Sequence, residues 1–226
     1  MAKTLLVCGY GPGISDAVAR RFSAAGFELA LVARDGERLE RAAAGLTARA
    51  FPCDLSDPGA VAPLVSRVRA GLGGIDVIHW NAVSLAAQDL LTAPLAELRT
   101  ALDVGVVSLV AAVQAAHQDL KAKKGAVLIT GGGFSRYDQN VDAAAVQARA
   151  MGLSVTKAAQ RKLAGLLHKR LAADGIYVGE LVVLGLVKGT AFDSGQATLE
   201  ASSIAAKFYE LYSTRTEVSV NFSERG

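Results

Sequence analysis

The sequence predicts an α/β fold: a doubly wound parallel sheet of about seven strands with helices on both faces. Three observations predict it. Apolar runs of strand length alternate with longer stretches of helical period along the whole chain, and that alternation makes parallel strand pairs through right-handed crossovers. The strand-like runs are apolar throughout rather than at every second position, as expected of strands covered on both faces. The composition agrees, with 51% hydrophobic residues and 23 glycines. At 226 residues the chain can bury a sizeable core and still fall within the range of one α/β unit, so residues 1–226 read as a single domain.

Thr4-Leu5-Leu6-Val7-Cys8 is the first strand and runs into glycines. A helix follows from about Ile14 to Ala25, with Ile14, Val18 and Phe22 at helical spacing, and Gly26 closes it. Leu29 to Ala33 is the second strand, and Arg38 to Leu46 a short second helix. Ala48 to Cys53 reads as the third strand. Asp57-Pro58 opens the next helix with a capping carboxylate and a proline at the first helical position. Ile75 to Trp80 is the fourth strand, with Asp76 capping the turn into it. A long helix spans about Leu95 to Lys121, and Lys121-Ala122-Lys123-Lys124 supplies the cations that suit a helix C-terminus. Ala126 to Thr130 is the fifth strand, and a second long helix runs from near Ala144 to about Ala173. Ile176 to Leu184, Ser202 to Tyr212 and Glu217 to Phe222 complete the pattern as strand, helix and strand. The least regular stretches, about 131–143 and 185–200, follow strands, which is where a substrate pocket is built.

Several function classes are disfavoured. The net charge is +3 with mixed signs and no block of five or six like charges, so a nucleic-acid footprint is weak and no nucleic-acid partner is expected. Cys8 and Cys53 both lie in apolar runs and read as reduced thiols. Met1-Ala2-Lys3-Thr4 leads straight into a strand without a signal-peptide core, and no run of 18 apolar residues occurs. The expectation is a cytoplasmic, soluble protein with no membrane partner. His79, His117, His168 and the cysteines lack metal-ligand spacing, so no metal is expected.

The chemistry begins at Gly9-Tyr10-Gly11-Pro12-Gly13-Ile14-Ser15, between the first strand and first helix. Glycines let the backbone approach a pyrophosphate, and the helix N-terminus supplies N–H groups and a partial positive charge. With Cys8, this turn resembles the Thr-Gly-x-x-x-Gly-Ile-Gly loop of the short-chain dehydrogenase/reductase family. Gly9 and Gly13 match, and Ser15 replaces the third glycine, packing less closely but offering its hydroxyl to a phosphate. Cys53-Asp54-Leu55-Ser56 resembles the segment after the family's third strand, whose Asp caps the adenine. Trp80-Asn81-Ala82-Val83 resembles Asn-Asn-Ala-Gly after the fourth; Asn81 and Ala82 match and would pass close to the adenosine ribose. After the sixth strand Leu184-Gly185 keeps the glycine of a Pro-Gly pair. Val187 follows, and Thr190 lies about one residue later than the usual diphosphate-contacting threonine. The resemblance runs in order over nearly the whole chain. It implies a Rossmann-like fold with a nicotinamide dinucleotide held by these segments.

The second strand ends Val32-Ala33-Arg34-Asp35. An acid at the Ala33 position would bond the ribose 2′-OH of NAD, whereas an Arg accommodates a 2′-phosphate. Arg34 therefore favours NADP(H) over NAD(H), with Asp35 as a neighbour able to neutralise it.

The same resemblance implies an oxidoreductase. In this family a Tyr gives a proton as hydride arrives. A Lys four residues later lowers the Tyr pKa and holds the nicotinamide ribose, a Ser after the fifth strand polarises the carbonyl, and an Asn orders a water relay. The four-residue spacing puts Tyr and Lys on one helix face. Lys157 matches, but Leu153 holds the Tyr position, and Leu cannot transfer a proton. Gly131-Gly132-Gly133 occupies the Ser region, with Thr130 just upstream, and Gly105 the Asn position. The chain resembles a subset of the family with Thr-Gly-Gly-Gly and Leu-Ser-x-x-Lys. Lys157 then reads as a ribose anchor, and Tyr137, beside Ser135 in the loop after the glycines, as the substitute proton donor. Two functions follow: an NADP(H)-dependent oxidoreductase acting on a small carbonyl or alcohol with a degenerate catalytic set, or a non-catalytic NADP(H) sensor or regulatory protein. A partner that has lost cofactor altogether is disfavoured by the retained glycines. The family's equivalents of helices 95–121 and 144–173 pair between subunits, which implies a homodimer or homotetramer. Segments near Ser84, 131–137 and 186–198 would line the substrate pocket.

Overall fold

Seven strands, β1 (Lys3–Cys8), β2 (Phe27–Val32), β3 (Ala48–Ala50), β4 (Val77–Trp80), β5 (Ala126–Gly132), β6 (Tyr177–Val183) and β7 (Ser219–Phe222), form one sheet. Their order is β3-β2-β1-β4-β5-β6-β7, and every pairing is parallel. The computed structural model describes residues 2–193 and 195–223. Met1, Ser194 and residues 224–226 lie outside the described residues; they fall in the amino-terminal run, the 186–198 segment and the end of the 1–226 domain read from sequence.

Alternate residues of each strand feed opposite cores. Leu6 and Cys8 of β1 join Ile78, Trp80, Val127 and Ile129 in one cluster. The helices α3 (Val61–Leu72), α5 (Ser108–Ala122) and α7 (Met151–Leu171) cover that face. Leu5 and Val7 join Leu29, Leu31 and Leu128 in the other cluster, beneath α1 (Ile14–Ser23), α2 (Gly36–Ala43) and α8 (Ala201–Thr214). Leu5 and Leu6 are fully buried, and each contributes on the order of 2 kcal/mol by leaving water. Side-chain caps fix where the helices begin. Asp35 accepts from the Arg38 N–H at 3.0 Å to start α2, and Asp57 accepts from Gly59 N–H at 2.9 Å in the 3-10 turn leading to α3.

The third strand, expected over Ala48 to Cys53, is only Ala48–Ala50; the two long helices are also corrected, and the roles of Asp76 and of the lysines ending α5 are extended. The run 95–121 is not one helix: α4 (Leu95–Leu102) and α5 are joined by a π turn at Asp103–Val107. The run 144–173 is likewise two helices, α6 (Gln139–Gln147) and α7, broken where Arg149 takes a left-handed φ of 52°. The break has a tertiary cause: Gly152 lies against the Ala86 and Ala87 carbonyls so closely that a Cβ would sit 2.6 and 2.7 Å from them. Asp76 does more than cap a turn; its Oδ2 accepts from the Thr4 N–H at 2.9 Å and from Lys123 Nζ at 2.8 Å. The lysines ending α5 reach carboxylates, Lys121 bonding Asp174 at 2.7 Å.

Candidate functional site

The sheet order reverses at β1, whose neighbours are β2 and β4. The crevice outside the C-terminal strand ends at such a point is where open α/β sheets bind ligands. Two cavities lie there, of about 620 and 770 Å³. Arg38, Asn81, Val83, Ala191 and Phe192 line both, so they are two halves of one trough.

The glycine turn sits where the halves meet. Gly9 has a φ of +81°, and a Cβ there would lie 2.5 Å from the Ala82 backbone, so β1 and β4 can close on each other only through glycine. Asn81 donates from Nδ2 to the Gly9 carbonyl at 3.3 Å and joins the same contact. Gly11 has open space above it, with nothing within 4 Å of a Cβ. No side chain caps α1, so its first N–H groups face the trough without an acceptor inside the helix. Ser15 departs from the sequence reading. Its buried hydroxyl accepts from the Gly11 N–H at 2.9 Å and lies 3.0 Å from the Gly11 carbonyl, so it ties the turn together and is not offered outward. Tyr10 donates to Asp16 at 2.7 Å; burial, then that carboxylate, push its phenol up to about 12.

The 620 Å³ half is lined by Gly9, Tyr10, Arg34, Asp54, Leu55 and Ala82 among the residues expected there. Asp54 accepts from the Ser56 N–H and hydroxyl, which with nearby Arg34 hold its carboxyl below the usual range. Asp35 is engaged in capping α2 and forms no ion pair with Arg34. Arg38, which the sequence reading missed, adds a second cation facing both halves. Its only sequence signal was its place in the first turn after Arg34.

The 770 Å³ half is lined by Pro12, Ile14, Lys157, Gly185, Val187 and Thr190 of the expected set, with Leu153 in its wall. Lys157 is buried; its Nζ donates to the Thr130 carbonyl at 2.6 Å and to Gln160 Oε1 at 2.9 Å. Gln160, fully buried and one turn along the same helix face, passes the link on by donating to the Gly105 carbonyl at 2.8 Å. The π turn thus presents the Gly105 carbonyl to α7. Burial pushes the Lys157 ammonium down to about 8, and Glu180 opposes this. Glu180 lies under the glycine run, with Oε2 accepting from Ser219 at 2.8 Å and Oε1 unpartnered; burial pushes its carboxyl up. His79 is a core residue, bonded at Nε2 to Thr130 Oγ1 at 3.1 Å, and burial and then Lys157 push its imidazole down to about 3. Thr130 therefore directs its hydroxyl at His79.

Tyr137 is not brought to this site. Its side chain is fully exposed and lines neither half, because the 3-10 turn at Gly133–Ser135 and the Asp138 cap of α6 carry it outward. Ser135 is buried with an unpartnered hydroxyl and also lines neither half. Among the described residues no group of three or more His, Cys, Asp or Glu could hold a metal ion, and no helix is long and apolar enough to cross a membrane.

A family model described as short chain dehydrogenase matches residues 3–199. An uncharacterized oxidoreductase of Mycobacterium tuberculosis (strain ATCC 25618 / H37Rv) is 40% identical over 88 residues, which are 35% of this chain and 26% of that protein. A farnesol dehydrogenase of Aedes aegypti is 33% identical over 128 residues, 54% of this chain and 52% of that one. These matches span only a quarter to a half of the relatives' lengths. Among solved structures, a short-chain dehydrogenase from Streptomyces avermitilis superposes with a TM-score of 0.86 at 21% identity, covering 100% of this chain and 89% of that one. A short chain dehydrogenase from Burkholderia cenocepacia J2315 in complex with NADP gives 0.85 at 24% identity, covering 98% and 96%. At such identities the likeness carries the fold.

Proposed function

The chain belongs to the short-chain dehydrogenase family, and from that premise we propose that it is an NADP(H)-binding carbonyl or alcohol oxidoreductase of the subset in which the tyrosine is replaced. One observation carries the reading: a continuous trough with an uncapped helix at its middle, Arg34 and Arg38 along one half and Lys157 at the inner end of the other. The trough fits a dinucleotide, since a Cβ at Gly9 or Gly13 would meet Ala82 or Thr190 at 2.5 Å and the approach over Gly11 is open.

The turn from Gly9 to Ser15 binds the pyrophosphate through the N–H groups of Gly13, Ile14 and Ser15, since those of Gly9, Tyr10 and Gly11 donate to Val32 and Ser15. Asp54, Leu55, Asn81 and Ala82 hold the adenosine half, and Arg34 and Arg38 clamp the 2′-phosphate. Gly185, Val187 and Thr190 line the other half with Lys157. When bound, the dinucleotide supplies hydride to a carbonyl carbon. Lys157 holds the proton: the titratable side chains lining that half are Arg38, Arg136 and Lys157, and guanidinium does not release one. Two of its three donors are already engaged by protein acceptors, which leaves one for a ligand oxygen. A second reading, a nucleotide sensor, is favoured by the apolar Leu153 in the wall where the family's acid would stand. A homodimer or homotetramer is supported by the apolar side chains left exposed at Val107, Val155 and Leu166, and a cytoplasmic location by the free Cys8 and Cys53 thiols.

Fluorescence titration tests the reading. NADPH is expected to bind at least tenfold more tightly than NADH. Arg34→Ala and Arg38→Ala should each reduce NADPH affinity by about tenfold or more, as loss of a charge-assisted contact does, and leave NADH nearly unchanged. Tighter binding of NADH would overturn the assignment. Loss of NADPH absorbance with a panel of aldehydes and ketones then separates enzyme from sensor, because tight binding without turnover belongs to the sensor.

A further inference from the structure

We infer that the 770 Å³ half of the trough takes an elongated aliphatic carbonyl compound bearing a carboxylate at the end remote from the carbonyl, with Arg136 as the carboxylate's partner. The inference rests on the dinucleotide reading for which end of the trough is the reacting one.

The lining is polarised. Phe134, Leu153, Leu184, Leu186 and Phe192 give this half a largely apolar lining. Among the described residues no Asp or Glu lines it, while three cations do: Arg38, Arg136 and Lys157. Arg38 borders the adenosine half and Lys157 is buried at the inner end, which leaves Arg136, exposed and on the rim. Among the described residues no hydrogen bond or ion pair holds the Arg136 side chain. The nearest acid in sequence, Asp138, is occupied, since its Oδ1 accepts from the Asn140 and Val141 N–H groups at 2.9 and 3.2 Å to cap α6. Arg136 is therefore an uncommitted guanidinium at the mouth of an apolar slot.

Leu186 and Phe192, 42% and 43% exposed, add accessible apolar surface to this half, and Phe192 also borders the adenosine half. At the inner end Gly132 leaves room: a Cβ there would make only ordinary contacts, 3.8–4.0 Å, with the Lys157 side chain. A ligand satisfying every wall puts its carbonyl beside Gly132 and Lys157, its chain along the leucines and its carboxylate on Arg136. The cavity of about 770 Å³ is shared between this ligand and the nicotinamide end of the dinucleotide.

Calorimetry tests this without turnover. The NADPH-saturated protein is titrated with decanoate and with decan-1-ol, which share the chain and differ in charge. Decanoate is expected to bind about tenfold more tightly. Arg136→Gln should remove that preference, lowering decanoate affinity about 5- to 10-fold while decan-1-ol and NADPH bind as before. Equal affinities for the two probes, no measurable decanoate binding, or a decanoate affinity indifferent to Arg136→Gln each overturn the inference. Failure of NADPH to bind is a separate result. It sinks the dinucleotide reading, and the two titrations repeated without nucleotide still report whether the slot selects carboxylates.

Discussion

Gly105→Asn is expected to destabilise the protein by about 1–3 kcal/mol. A Cβ at Gly105 would sit 2.2 Å from Thr156 Cγ2, far inside van der Waals contact, and the next nearest atom is at 3.7 Å. The obstacle is a single methyl group that cannot rotate away freely. Thr156 is buried, and its hydroxyl donates to the Gly152 carbonyl at 2.8 Å. Nor can the π turn retreat, because the Gly105 carbonyl holds Gln160, which holds Lys157. The few tenths of a kcal/mol gained by replacing a helical glycine do not offset the clash. Thr156→Ser removes the methyl and keeps the hydroxyl, so Gly105→Asn/Thr156→Ser should recover 1 kcal/mol or more relative to the sum of the single changes. Urea unfolding of the four proteins measures it; additive single effects would show that the contact is not the constraint.

The neighbouring glycines sharpen the contrast. Gly132→Ser is expected to fold like the parent, since its Cβ meets only the Lys157 chain at 3.8 Å or more. At Gly131 a Cβ would lie 2.6 Å from the unpartnered Oε1 of buried Glu180. A serine is thus accommodated at Gly132 and crowded at Gly131, and an asparagine at Gly105 is crowded by the Thr156 methyl group. Gln160 and the Gly105 carbonyl hold Lys157 in an interior where Gly105 and Gly131 leave no room for a side chain.

The central strands were legible because two-sided burial writes itself as unbroken Val, Leu and Ile runs, whereas β3, expected over Ala48 to Cys53, is only Ala48–Ala50 and partly exposed. The cap at Asp57 was legible because capping is local chemistry; Asp35 reads in the sequence as a neighbour of Arg34 and caps α2 instead. The breaks in the two long helices were not legible. Ala143 to Met151 contains neither glycine nor proline, and what stops the helix is the docking of Gly152 on carbonyls more than sixty residues away in sequence. The glycine turn, Arg34 and Lys157 stood out by their position relative to strands, and all of them reach the trough. Ser15 and Tyr137 were misjudged because a hydroxyl's direction depends on neighbours that spacing does not reveal. Gln160 could have been noticed, since it follows Lys157 on one helix face, but its acceptor lies in a π turn with no sequence mark. Arg136 and Glu180 acquire meaning only from what surrounds them, or fails to.

Lys157 should give the protein a distinctive stability profile above neutrality. The amine titrates near 10.5 in the unfolded chain and near 8 in the fold, where burial disfavours the charge. Below pH 8 both states carry the proton, and the fold bears the full penalty of a buried ammonium. Between pH 8 and 10.5 the unfolded chain binds more protons, so stability rises with pH. The span corresponds to roughly 3 kcal/mol at most, at about 1.4 kcal/mol per pKa unit. Glu180, packed beneath from β6, opposes the shift, and His79 on β4 stays neutral throughout. Comparison with Lys157→Met, which keeps the length and loses the charge, isolates the effect. From pH 7.5 to 10.5 the parent should gain 1–3 kcal/mol on the variant in urea unfolding. NADPH affinity should move the opposite way, falling through pH 8 in the parent as the anchoring charge is lost and staying flat in Lys157→Met. Parallel stability curves would mean that the ammonium is not buried as described. A pH-independent affinity in the parent would remove Lys157 from the dinucleotide site while leaving its place in the fold untouched.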